Sequence, residues 1–465
     1  MSPKERVAIV LPGIILTLFP AFVSAHAFGQ QYTLPLPLQF YALGASCALI
    51  ASFVFLALYS VPDPARGSIV SVSKIFSIPR WHIVETILRA IGILAFIGTL
   101  ICAFFGPQDF TTNPAPMLFW DVLLLGFTYL SVFIGGLWRF VSPFETAARI
   151  LFAGNRTSGI RYPGWLGYFP ALFFYFALIW IELLSGGDGA VPLVIGNVLA
   201  GYMAISMIGA GIFGVDEWFT QADFFTVFFG LVGLFAPVKV ERDLISLQPP
   251  AERLVLEQAR GVSLLLFVLF MLSSTAFDGL QETQIWWQTL YHSALQMQTY
   301  PIERAVIFFA SPFIFFALYA LAIWLMRLFT RTRLQFTSLL LRFTFSLVPI
   351  AIAYNFAHYF TLLVNGAQAL LAMASDPLAK GWNIFGTAHY QVNIGLIDAK
   401  HVWYAQFSAI LLGHIVATYV AHRIAVREFP SRAQVLFGQL PMLLLMVFYT
   451  VFGLWILSQG YQTGA

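Results

Sequence analysis

Charge is what this chain has least of. Asp, Glu, Lys and Arg make up only 10% of its 465 residues, whereas 59% are hydrophobic. Soluble proteins carry about 25% charged residues. Charge this sparse cannot coat a soluble domain of such length, which excludes a cytosolic enzyme, a nucleic-acid binder and a disordered chain. Cysteine is almost missing as well. Cys47 and Cys102 both lie in apolar runs and read as packing residues, so a disulfide scaffold is excluded. The net charge of +3 is spread along the chain without a basic tail. There is no HExxH, CxxC, GxSxG or phosphate loop, no internal repeat and no heptad array. What remains is a series of long apolar runs, the pattern of an all-α polytopic transmembrane helical bundle.

Lys4 and Arg6 precede the apolar run 7–22, which ends in Val23-Ser24-Ala25. This is the order of a secretory signal peptide, so residues 1–25 are expected to be removed and 26–465 to form a single membrane-embedded domain. Cleavage after Ala25 would leave His26 first. Its free amine beside an imidazole is a two-nitrogen chelate for copper-like ions. The plainer readings are an uncleaved anchor, or His26 as merely the first exposed residue.

A bilayer core about 30 Å thick takes about 20 helical residues. Apolar runs follow at 37–59, 86–106, 117–138, 166–184, 190–213, 304–327, 337–366, 402–425 and 436–458, with shorter ones at 222–238 and 261–277. That predicts ten or eleven spans in the mature chain. Basic residues belong in cytoplasmic loops. Arg66, Lys74, Arg80, Arg139, Arg149, Arg156, Arg161, Arg327, Arg331, Arg423 and Arg427 therefore place their loops inside, and the mature N-terminus outside. Loop 239–260 breaks the alternation: Lys239, Arg242, Arg253 and Arg260 place it inside, whereas counting from the front places it outside. A re-entrant 222–238, short and carrying Asp223, removes the conflict.

Five of the eight histidines fall after residue 350: His358, His389, His401, His414 and His422. Ionisable groups inside spans are costly and mark functional sites. His414 is twelve residues into its run, roughly 18 Å deep, and His358 is eight residues from the outer end of its own, roughly 12 Å deep. The two are expected to meet in the outer half of the membrane, with Tyr354 and Asn355 beside His358. His422 lies eight residues beyond His414 near the inner face, where an interfacial histidine is the plainer reading. The outer segment GWNIFGTAHYQVN supplies His389, and STAFDGLQET supplies Asp278. An outward pocket of His358, His414, His389 and Asp278 would suit a divalent transition metal: zinc, manganese, iron or copper. For each histidine taken alone, a satisfied core role is an equal alternative.

Several stretches are familiar together: SAHAFGQQYTLPLPLQFYALGA, STAFDGL, AYNFAHYFTLL, GWNIFGTAHYQVN and VWYAQFSAILLGHIVATYVAHRIA. In these the chain resembles the integral-membrane fenitrothion hydrolase family of bacteria. The likeness is strongest after residue 335 and patchy between 140 and 260. It implies a multi-pass protein of the bacterial inner membrane that hydrolyses an organophosphorus triester to a phenol and a dialkyl thiophosphate. It also implies that His26, Asp278, His358, His414 and His422 are the family's recurrent polar positions. At His389 the chain departs from the family, which often carries an acidic residue there.

On this reading a bound metal would lower the pKa of water and polarise the phosphorus centre. His358 and His414 would be ligands, and Asp278 or His389 would complete the set; alternatively Asp278 is the base. The substrate would be small and apolar and would arrive through the lipid bilayer. Three other readings stay open: a non-enzymatic copper-handling protein built on His26 and the buried histidines, a haem carrier and a solute transporter.

Overall fold

The computed structural model describes residues 34–59, 74–153, 160–286 and 301–459. The signal segment and His26 lie outside the described residues. The chain is an all-α bundle, and among the described residues nine helices are long and apolar enough to cross a membrane. In chain order its main elements are α1 (Leu38–Tyr59), β1 (Lys74–Ser77), α2 (Trp81–Phe105), α3 (Ala115–Phe133), β2 (Ile134–Gly135), α4 (Pro143–Leu151), α5 (Phe169–Leu183), α6 (Pro192–Phe213) and α7 (Phe224–Gly233). Then come β3 (Val238–Glu241), β4 (Leu244–Leu247), α8 (Val262–Gln281), α9 (Pro301–Thr330), α10 (Val348–Ser375), α11 (Ala399–Glu428) and α12 (Arg432–Ser458).

One helix is the axis of the bundle. Of the most apolar 18 residues of α8, 89% are buried, against 22% for α2. A helix apolar on all sides belongs in the interior. The peripheral helices turn residues such as Leu94 and Phe105 outward, as lipid-facing surfaces require.

A small sheet, ordered β1-β4-β3-β2, ties three connecting segments together at one end of the bundle. β4 pairs antiparallel with both β1 and β3, and β2 pairs parallel with β3. The arginines gather here. Arg423 reaches Glu252 (3.6 Å), Arg427 donates to the Val255 carbonyl (2.6 Å), and Arg342 pairs with Glu428. The disputed 239–260 segment therefore lies at the same end as residues 74–80 and 134–153.

The helix α7 explains why. Its ten residues span about 15 Å, half the bilayer core. The chain leaves α6 at the arginine-rich end, where Asp216 pairs with Arg149 (2.7 Å). It rises through Val215–Gln221 to Asp223, which accepts from the Tyr202 hydroxyl halfway along α6 (2.5 Å). It then returns along α7 to Gly233, packed on Gly135 of β2. Asp223 caps the returning helix by accepting from Thr226 N (2.8 Å). The expected re-entrant segment is thus a helical hairpin sheltered inside the protein. The fifteen-residue α5 does run from end to end: Tyr168 N donates to Ser263 Oγ at the arginine-rich end (3.0 Å), and the Leu183 carbonyl accepts from Arg304 at the other (2.7 Å).

Candidate functional site

At the end opposite the arginines, α8 carries Asp278 one turn before its last residue. Asp278 Oδ2 lies 2.8 Å from His358 Nε2 on α10, and the Tyr359 hydroxyl donates to the same oxygen at 2.8 Å. Both partners of the Asp278–His358 pair are more than nine-tenths buried. Gly279, beside Asp278, lets α12 pack closely. A Cβ there would stand 2.5 Å from Ile456 of α12 and 3.6 Å from the His358 ring. The chain order Asp278-Gly279 thus supplies a carboxylate and, beside it, the space that Ile456 occupies.

Beneath the pair is a cavity of about 50 Å³. Its polar wall is formed by Thr128, Glu182, Ser274, Thr275, Asn355 and Tyr359. This is polar and roomy enough for water. Tyr359 is shared by the cavity and the pair. Asn355 Oδ1 is buried without a hydrogen-bond partner. Nearby, Leu118–Gly126 of α3 is wound as a π-helix, a local geometry frequent at functional sites. It carries Asp121, 5% exposed and set against Gly366 of α10.

The structure brings together Asp278 and His358 but not the other expected members. Two contacts give the register of α10 against α11: Gln406 Nε2 donates to the Ala357 carbonyl (2.7 Å), and Gly413 packs on Ala353 and the Pro349 carbonyl. His414 is therefore level with residue 350, eight residues and about 12 Å deeper than His358. The expected meeting of the two histidines fails because α10 and α11 extend beyond their apolar runs, to Ser375 and back to Ala399, so depth measured from the ends of those runs is misplaced. His414 Nδ1 donates to the Ile410 carbonyl (2.7 Å), which fixes its tautomer, and Nε2 has no hydrogen-bond partner among the described residues. His422 pairs through Nδ1 with the Gln439 amide (3.2 Å).

His389 is exposed in the segment that follows α10. That segment is stapled to Gln368, whose Oε1 accepts from Asn393 N (3.0 Å) and Tyr390 (3.3 Å). Gln368 lies ten residues, about 15 Å, beyond His358, which separates His389 from the pair. Tyr354 points elsewhere, donating to the Tyr449 carbonyl on α12 (3.3 Å).

Among the described residues, no three His, Cys, Asp or Glu side chains converge to hold a metal ion. The expected set of His358, His414, His389 and Asp278 is not assembled, and His26 lies outside the described residues. Sequence reasoning missed Tyr359, Glu182 and Asp121. Tyr359 directly follows His358, and the two carboxylates interrupt apolar runs; those were the signals available. No protein-family model, curated protein or solved structure matches this chain.

Proposed function

We propose that the protein is a membrane-integral hydrolase of small apolar organophosphorus triesters, with the Asp278–His358 pair as its general base. The observation that carries this reading is the buried carboxylate–imidazole hydrogen bond, linked through Tyr359 to a water-sized cavity of mixed lining. Such a carboxylate orients an imidazole and stabilises its protonated form, so that it can take a proton from water. The water oxygen attacks phosphorus while its proton passes to His358. The P–O bond to the aryl group breaks, and the phenolate leaves with little need of acid help. Tyr359, held by Asp278, limits how the carboxylate can turn. The resemblance in STAFDGL and AYNFAHYFTLL supports the same assignment, because those stretches contain the two paired residues.

On this proposal the pair faces the periplasmic side of the bacterial inner membrane, because the arginines collect at the other end. An apolar ester reaches it from the outer leaflet. The test is turnover of a nitrophenyl phosphotriester by protein purified in detergent. Release of nitrophenol by the wild type, lost in folded Asp278→Asn and His358→Gln, supports the reading. A wild type without turnover overturns it.

A second reading keeps a bound metal, and one observation favours it: His414 Nε2 is fully buried without a partner among the described residues. A zinc, manganese, iron or copper ion there would need further donors outside the described residues, such as the proposed N-terminal His26. Metal content measured in wild type and His414→Ala decides between the two.

A further inference from the structure

We infer that a second site, at the arginine-rich end, takes the phosphate headgroup of an anionic phospholipid. A cavity of about 980 Å³ opens there between the mouth of α2 and the sheet. Drug-sized ligand sites are about 300–1,000 Å³. Its walls differ in character. Trp81, Trp138, Phe140 and Phe229 form an apolar floor, Arg89, Arg139, Arg149, Lys239 and Arg242 bring five cations, and Glu85, Asp216, Glu241 and Asp243 bring four carboxylates. Cations exceed carboxylates by one, so a ligand that matches this lining has an apolar part and a single negative charge.

The cations are not equally committed. Arg89 makes a two-point contact with Glu85 (2.7 and 3.0 Å), Arg149 bridges Glu145 and Asp216 (2.7 Å each), and Lys239 pairs with Glu241 (2.5 Å). Arg139 is 60% exposed and reaches Glu145 only at 3.7 Å, a carboxylate already engaged by Arg149. Arg242 forms no ion pair or side-chain hydrogen bond among the described residues. It sits at the β3–β4 turn with φ 51°, a left-handed conformation unusual for a residue with a Cβ. Arg242 and its neighbour Asp243 both line the cavity. Two uncommitted guanidiniums offer paired donors to phosphate oxygens. The Glu85–Arg89 pair on the first two turns of a spanning helix brings polar wall into the headgroup zone, where basic pockets bind anionic lipid.

The test is native mass spectrometry of the full-length protein in detergent, titrated with phosphatidylglycerol, with phosphatidylcholine of the same chains, and with inorganic phosphate. Preferential retention of phosphatidylglycerol is expected. It should weaken roughly 25-fold in Arg139→Gln/Arg242→Gln, about fivefold per arginine, and recover only in part in Arg139→Lys/Arg242→Lys, which keeps the charge without the paired donors. Both residues reach solvent, so the variants should elute and melt as wild type, which separates lost binding from lost fold. Equal retention of the two lipids, or unchanged retention in the glutamine variant, would overturn the inference. Displacement of the lipid by millimolar phosphate would keep a phosphate site and reject the lipid as its occupant. This site lies at the other end of the bundle from the Asp278–His358 pair, so its test stands or fails independently of the hydrolase reading.

Discussion

The two ends of the bundle handle charge in opposite ways. At the arginine-rich end, carboxylates meet guanidiniums: Glu85 with Arg89, Glu145 with Arg149, Glu252 with Arg423 and Glu428 with Arg342. Most of these cations reach solvent. At the opposite end, Asp278 is deeply buried and bonds an imidazole and a phenol. Arg304, the basic residue nearby, is spent on Gln281 and the Leu183 carbonyl. Glu182 and Asp121 have no ion pair among the described residues. Asp121 is buried and Glu182 half-buried, and a carboxylate so placed is expensive. One end is arranged for anchoring and orientation, the other keeps costly groups that chemistry can use.

That contrast can be broken by substitution, beginning where the effect is largest. Asp278→Ala removes one member of a buried pair and leaves His358 and Tyr359 facing a void. It should cost about 3–5 kcal/mol, read as a large loss of folded protein in a detergent melting experiment. Tyr359→Phe deletes one hydrogen bond to a charged acceptor and should cost about 1.5–3 kcal/mol, with the pair itself intact. Gly279→Ala presses a methyl group on Ile456 and should cost about 1–3 kcal/mol. Ile456→Ala in the same chain should recover part of that loss, which a double-mutant cycle would show. At the other end, Lys239→Gln breaks a partly exposed pair with Glu241 and should change stability by less than about 1 kcal/mol. An arginine-end effect as large as that of Asp278→Ala would dissolve the comparison.

How much of this was legible beforehand differs between the ends in the same way. The arginine distribution grouped these loops at one end, and the conflict at 239–260 pointed to a short element that does not cross. The structure locates it in α7. The sheet was not legible, because its strands are two to four residues long and carry no periodicity. At the site, Asp278 and His358 were identified from residue type alone: ionisable groups in apolar runs. Their pairing needed the third dimension. The expected meeting of His358 with His414 failed for a geometric reason. Helices longer than the bilayer slide the true register away from the hydropathy boundary, and only Gln406 on Ala357 and Gly413 on Pro349 reveal it. Tyr359 was one residue from a named candidate, yet its role depends on α8, which sequence spacing does not bring near.

The central claim is that His358, held by Asp278, is the base, and that His414 two turns deeper is not part of the same centre. The most direct measurement is the initial rate of nitrophenyl phosphotriester hydrolysis by folded His358→Gln and His414→Gln, each against wild type. The account predicts a fall of about 10²–10⁴-fold for His358→Gln, the usual range for a lost general base, and a rate within about threefold of wild type for His414→Gln. Equal and large losses in both variants, or full activity in His358→Gln, would contradict it.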